Sequence, residues 1–174
     1  MADAEFARMA LPHLDAAYAL ARWLVRDRVT AEDVVQDAML RALTYFATFR
    51  GGDARAWLLR IVRNTAYDRL ARMRDAREDA LDPGGAHAEL AAPGVDPEAA
   101  FAAGEERARL LAALAALPVE LRECLVLREL EEMSYRDIAR ITEVPVGTVM
   151  SRLFRARQML IEVGRRLDAK ERLT

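Results

Sequence analysis

Cysteine and lysine each occur once in 174 residues, and histidine occurs twice. The one cysteine, Cys124, excludes an internal disulfide, and its neighbours Leu121, Leu125 and Val126 predict a buried small apolar side chain. His13 and His87 stand too far apart for the usual metal-site spacings. No apolar run approaches the roughly 20 residues that span a bilayer. The opening Met-Ala-Asp-Ala-Glu-Phe lacks the basic-then-apolar character of a secretory leader. No nucleophile–base pair and no phosphate-cradling glycine loop is present; Gly51-Gly52 reads as a turn. These absences predict a cytoplasmic protein that is not an enzyme. It should need no cofactor or metal, take no small-molecule substrate and insert in no membrane.

What is present is helix-forming. Apolar residues make up 53% of the chain, much of it Ala and Leu, which predicts an all-α protein. A first helix is expected over residues 5–27, with Pro12 inside it and Phe6, Met9, Leu14, Ala17, Tyr18, Ala21, Leu24 and Val25 inward. Thr30 is the expected N-cap of a second helix reaching about Ala47, with Val34, Val35, Ala38, Met39, Ala42, Leu43 and Phe46 buried. Its outer side carries Asp33, Gln36, Asp37 and Arg41, a polar stripe suited to water or to a partner. After the Phe49-Arg50-Gly51-Gly52 turn, Asp53 can cap a third helix over roughly 54–75, with Leu58, Ile61, Val62, Ala66, Leu70 and Met73 inward. Its outer face is basic, and Tyr45, Trp57 and Tyr67 put aromatic rings near it. Arginine with aromatics is what unstacked bases bind.

The net charge of −2 hides a segregation. Residues 78–106 carry eight acids and no Lys or Arg, which leaves +3 on each flanking segment. Asp82-Pro83-Gly84-Gly85 and Ala92-Pro93-Gly94 are turn sequences, so 77–96 is expected to be a flexible acidic linker. It divides the chain into two small helical domains, 1–76 and 97–174. Asp96-Pro97 should open the second, with Leu110, Leu111, Leu114 and Leu117 as one apolar stripe and Leu121, Cys124, Leu125, Leu127 and Leu130 as the next.

The second domain holds the most specific pattern. Ser134 with Asp137 resembles a capping box, Ile138, Ala139 and Ile141 form an apolar face, and Pro145 suits the start of a following helix. Val149, Leu153, Ala156 and Leu160 then recur at helical spacing, leaving Arg152, Arg155 and Arg157 off the stripe, toward solvent or a polyanion. A short helix, a tight turn and a longer basic helix is the helix-turn-helix pattern, whose second helix enters a DNA major groove.

Taken together, four stretches resemble the extracytoplasmic-function group of RNA polymerase sigma factors over about residues 13–160. Ala-Glu-Asp-Val-Val-Gln-Asp-Ala-Met-Leu-Arg-Ala-Leu (31–43) is similar to the family's polymerase-binding helix. Phe49-Arg-Gly-Gly with 56–70 resembles its promoter-melting, minus-10-reading helix. Residues 115–130 resemble the helix that precedes its minus-35 reader, and residues 145–157 resemble that reader itself. The resemblance implies an alternative sigma factor that binds core RNA polymerase and promoter DNA and is held by an anti-sigma factor. It implies core-polymerase contacts for Asp33, Gln36, Asp37 and Arg41. It implies minus-10 contacts for Asp53, Arg60, Arg63, Asn64 and Asp68, and minus-35 contacts for Thr148, Met150, Ser151, Arg152 and Arg155. Two positions depart from the family pattern: Glu143 stands where glycine is common, and Met150 where Lys or Arg is common. Met cannot make the bidentate bond that reads guanine. Two other readings share these features, a sigma-like decoy that sequesters an anti-sigma factor and a conventional helix-turn-helix regulator. The retained Arg63, Arg69, Arg152 and Arg155 speak against the first. The lack of an evident dimerisation or ligand-sensing domain speaks against the second.

Overall fold

The structure is a computed structural model that describes residues 2–80 and 97–172; among these, every regular element is helical. The first domain comprises α1 (Ala2–Ala10), α2 (Leu14–Val25), α3 (Arg28–Tyr45) and α4 (Ala54–Ala80). The second comprises α5 (Pro97–Ala116), α6 (Val119–Glu129), α7 (Tyr135–Thr142) and α8 (Val146–Glu171). Most of the expected linker lies outside the described residues. Its first four positions do not match the expectation, because α4 continues through them to Ala80.

Local chemistry explains the boundaries. Pro12, which has no N–H to give, sits in a 3-10 turn over Leu11–His13 that splits the expected first helix into α1 and α2. Arg26 ends α2 in the left-handed region at φ 63°. The cap of α3 is Asp27 rather than Thr30: its carboxylate accepts from the Thr30 backbone N–H at 2.8 Å and from the Thr30 hydroxyl at 2.6 Å. A carboxylate at the N-cap also complements the helix dipole, which is why it wins over a neutral hydroxyl three residues on. Gly51 and Gly52 turn at φ 84° and 97°, and Asp53 then caps α4 by accepting from Ala56 N at 3.1 Å. Ser134 caps α7 through Asp137 N at 3.1 Å, while its own hydroxyl donates to the Asp137 carboxylate at 2.8 Å.

The core runs without interruption through both domains, from Phe6, Leu20, Leu24, Leu58 and Val62 to Leu127, Ile138, Ile141 and Leu153. The expected inward stripes largely hold. Leu14, Leu43, Leu110 and Leu130, placed inside by periodicity, are exposed. Leu14 and Leu43 instead line an apolar groove between α2 and α3. The two domains pack directly, α4 against α7 and α2 against α6.

Candidate nucleic-acid and polymerase interfaces

The outer face of α3 begins with Asp33, Gln36 and Asp37, all exposed. Arg41, one turn further on, is half-buried and donates to Asp68 of α4 at 2.8 Å and to Thr65 at 3.4 Å. Asp33 in turn accepts from Arg69 at 3.4 Å. Thus the stripe assigned to polymerase and the helix assigned to the minus-10 element are cross-linked by ion pairs at two levels. Beside this stripe, Leu14, Tyr18, Met39, Leu40 and Leu43 form the groove, with Gln36 at its rim. Leu40 is 66% exposed, the most open large apolar side chain on this face. Sequence periodicity missed it because an apolar residue off the buried stripe carries no packing signal.

On α4, the aromatic neighbourhood expected beside the basic face is present. Phe46 stacks on Phe49, whose ring centroid lies 5.1 Å from that of Trp57. The Arg63 guanidinium lies over the Tyr67 ring at 3.9 Å from its centroid. A second recess is lined by Phe46, Phe49 and Gly51 of the turn together with Asp3 and Glu5 of α1. Asn64 is half-buried and its side-chain oxygen accepts from Arg63 at 3.3 Å.

Three arginines in the first half of α4 are turned toward the second domain, while Arg72, Arg74 and Arg77 further along are exposed. Arg55 pairs with Glu131, Arg60 donates to Glu143 at 3.1 Å, and Arg63 makes two hydrogen bonds to Glu123, at 2.9 and 3.2 Å. All three acceptors belong to the second domain. Glu123 is fully buried (0% exposed), and Arg63 is only 14% exposed. Burial lifts the Glu123 carboxyl above its usual range, against the hydrogen bonds and charge of Arg63 that pull it down. Burial works equally to lower the Arg63 guanidinium, but the Glu123 bonds and charge outweigh it and raise the net affinity for the proton. Tyr67 is pushed up by burial and by the same carboxylate.

On α8, Val149, Leu153 and Ala156 are buried as expected. Thr148 is half-buried, and Ser151 is exposed with its hydroxyl donating to Thr148 O at 3.1 Å. Arg155 is exposed, and Arg157 is paired with Glu129 at 2.9 Å. Arg152 is a correction. Expected to face outward, it is 18% exposed and turned inward, its Nη1 3.5 Å from Glu123. That buried Nη1 has no hydrogen-bond partner. Burying a carboxylate on α6 is costly without positive charge near it, and Arg152 is the cation its own domain can supply. Met150 (53% exposed) and Phe154 (64% exposed) stand one turn apart on the outer face. Glu143, the turn residue, adopts the left-handed conformation at φ 58° and ψ 38°.

Glu123 and its neighbour Arg122 are the residues that sequence reasoning passed over. Arg122 is also buried, and it donates to Leu117 O at 2.8 Å and, across to the first domain, to Leu24 O at 3.4 Å. Burial, then the charge of Arg26, lowers its guanidinium to about 10. The available signal was an Arg-Glu pair embedded in Leu121–Leu127, a run buried on every side of the helix. Charges in such a run must find partners.

Residues 9–76 match the model for Sigma-70 region 2 and residues 107–160 the model for Sigma-70, region 4. These matches fall on the two helical domains. The chain is 39% identical to the RNA polymerase sigma-H factor of Pseudomonas aeruginosa, covering 78% of this chain and 74% of that one. It is 38% identical to the ECF RNA polymerase sigma-E factor of Escherichia coli K12, over 74% and 70% of the two chains. The sigma factor RpoE of Bartonella quintana, solved in complex with the anti-sigma factor NepR, superposes with a TM-score of 0.72 at 29% identity, over 91% of this chain and 96% of that one. CnrH, solved with the cytosolic domain of CnrY, gives 0.61 at 26% identity, over 94% and 88%. The helix-turn-helix and the α2–α4 unit are therefore those of an RNA polymerase sigma factor. Within that class, the chain belongs to the extracytoplasmic-function (ECF) family.

It is an alternative sigma factor, directing promoter recognition and transcription initiation. Among the described residues, no helix is long and apolar enough to cross a membrane.

Proposed function

We propose that the three faces divide the work of initiation as follows. The exposed Asp33, Gln36 and Asp37, with Arg41 and the adjoining Leu40 groove, dock on the clamp helices of core RNA polymerase in the cytoplasm. The basic, aromatic-flanked side of α4 (Arg60, Arg63, Asn64 and Asp68, with Asp53 at its cap) meets the minus-10 element. There one base leaves the stack and is held beside the Phe49–Asp53 turn. Splaying a base costs a few kcal/mol, which stacking on an aromatic ring and bonds to the freed base edge offset. The outer face of α8, with Thr148, Met150, Ser151 and Arg155, enters the minus-35 major groove, and Arg152, turned inward against Glu123, borders that face. The two helical units, α1–α4 and α5–α8, carry these roles.

The observation that supports this reading most is the clustering of Arg60, Arg63, Asn64, Trp57 and Tyr67 on one helix directly after a glycine turn. The structural likeness to a sigma factor solved with its anti-sigma factor covers 91% of the chain and so takes in both domains. On that ground we also propose an anti-sigma partner that covers these faces.

The test is transcription by purified core polymerase on fragmented genomic DNA, with and without this protein, followed by mapping of the starts. Starts that depend on the chain and share two spaced elements are expected. On one such promoter, Asn64→Ala should reduce permanganate reactivity of the opened bases more than it reduces duplex binding. Unchanged reactivity would remove Asn64 from the melting step.

A further inference from the structure

The recess among α1, the end of α3 and the glycine turn is lined by Phe46, Phe49 and Gly51, by Thr44, and by Asp3 and Glu5. Its volume is about 600 Å³, within the ~300–1,000 Å³ of small-ligand sites. Phe46 and Phe49 lie 16° from parallel and are half-buried, so each ring keeps part of its surface open. An added Cβ at Gly51 would meet nothing within 4 Å, so the backbone of the turn is open to an approaching group. Phe6 of α1 is buried and packs edge-on against Phe46 at 5.5 Å, which fixes the acidic start of α1 beside the recess.

The polar groups of this recess share one character. Asp3 and Glu5 are exposed, and neither carboxylate has a hydrogen-bond or ion-pair partner among the described residues. The Thr44 hydroxyl gives its proton to Leu40 O at 2.9 Å, so toward the recess it can only accept. None of the lining residues is basic. Two carboxylates repel a phosphate, so the DNA backbone has no place here. A planar ring that donates hydrogen bonds fits both the phenylalanines and the acceptors.

We propose that Asp3 and Glu5 select the captured minus-10 base: the recess takes a base with an exocyclic amine and turns thymine away. The inference rests on the assignment of the Phe49–Asp53 turn to base capture given above. It adds the chemical class of the base and the residues that read it. Cytosine N4, adenine N6 and guanine N2 each carry donor hydrogens, and carboxylates accept from such amines. Thymine has carbonyl oxygens instead, and each would face a carboxylate with no hydrogen between them. Phe46 and Phe49 supply stacking, which every base can use, so discrimination falls to α1. Both acids lie ahead of residues 9–76, the stretch that matches the region 2 model, and belong to this chain's own first helix.

The test uses the full chain with core polymerase and single-stranded oligonucleotides carrying the non-template strand of a mapped minus-10 element. At each position in turn the base is removed to leave an abasic sugar, or its amine alone is removed. Cytosine becomes uracil, adenine becomes purine and guanine becomes hypoxanthine. The variant is Asp3→Asn with Glu5→Gln, which keeps the side-chain shapes, and circular dichroism checks that it is folded. Each affinity is divided by that of the same protein for the parent strand. This ratio cancels the general gain in DNA binding from losing two negative charges.

At the captured position the wild type should lose about tenfold in affinity when the amine is removed. The double variant should lose no more than about twofold there, because its amides also offer N–H donors to a carbonyl, with losses elsewhere unchanged. Equal losses in the two proteins, at a position whose abasic loss shrinks in Phe49→Ala, would overturn the inference and leave base capture standing. A thymine at that position in the mapped promoters would overturn it as well. If no abasic loss depends on Phe49, base capture at the turn fails, and the inference with it. Weaker core binding by the double variant, with no amine sensitivity in the wild type, would overturn it in favour of a basic polymerase segment in the recess.

Discussion

Arg152 and Arg155 are three residues apart on one helix and do different jobs. Arg155 is exposed and has only solvent or DNA to meet. Arg152 neutralises a carboxylate that is completely out of water. Removing one partner of a buried charge leaves the other uncompensated, at a cost of about 1–3 kcal/mol when a second cation remains. Arg152→Ala should therefore lower stability by that amount in urea unfolding as well as weaken minus-35-dependent initiation. Arg155→Ala should weaken duplex recognition with stability unchanged. Equal midpoints for the two variants would count against the inward role of Arg152.

Glu143 is held in the left-handed region, which costs an L-residue roughly 1–2 kcal/mol. Its ion pair with Arg60 is about half exposed, and such pairs contribute little. Glu143→Gly should raise stability by about 1 kcal/mol, after the extra unfolded-state entropy of glycine is set against the relieved strain. A lower melting temperature for this variant would show that the ion pair outweighs the strain. Met150 and Phe154 together present an apolar edge of the kind that packs on a thymine methyl. In duplexes selected by this protein, replacing minus-35 thymines with uracil should weaken binding severalfold. The loss should shrink in Met150→Ala. Indifference to uracil would exclude methyl reading.

At the scale of elements, α3 joins a polar stripe to an apolar groove on one surface. Leu40 makes no packing contribution that a folded monomer needs, so its substitution should change stability by no more than about 0.5 kcal/mol. An apolar anchor at the centre of an interface is worth more than about 1 kcal/mol when lost. Leu40→Glu keeps helix propensity and puts a charge in the groove. It should reduce affinity for core polymerase roughly tenfold with the melting curve in place. Unaltered polymerase binding, read by co-sedimentation, would move the docking surface off this groove. The ion pairs Arg41–Asp68 and Arg69–Asp33 give α3 and α4 a fixed mutual register, so a partner gripping α3 also positions α4.

For the whole molecule, Cys124 is a reporter of whether the core is intact. It is fully buried in the shared core, and burial, with the Glu123 charge adding to it, pushes its thiol up to about 11. A thiol kept protonated in the fold releases its proton earlier in the unfolded chain. This contribution to stability is therefore complete below the ordinary value of 9.0 and declines as pH rises toward about 11. Alkylation at pH 8 should be negligible in the native protein and complete in denaturant. Rapid native alkylation would place Cys124 outside the rigid core.

Read by itself, the sequence determined the helices, their caps at Asp53 and Ser134, most of each buried stripe and the family. All of these are set by neighbours along the chain: spacing at 3.6 residues, a capping oxygen, a proline without an N–H. Where it went astray, competing local interactions decided. Asp27 took the cap from Thr30, and Leu14 and Leu43 were left on a groove by the way α2 and α3 meet. Only the tertiary structure decided the destinations of Arg63 and Arg152. Each lies off an apolar stripe and reads as outward on its own helix. What turned both inward was a carboxylate on a third helix, 60 residues away from Arg63 in the chain. Charge seeks its partner through space, and no periodicity along one helix encodes where that partner will be.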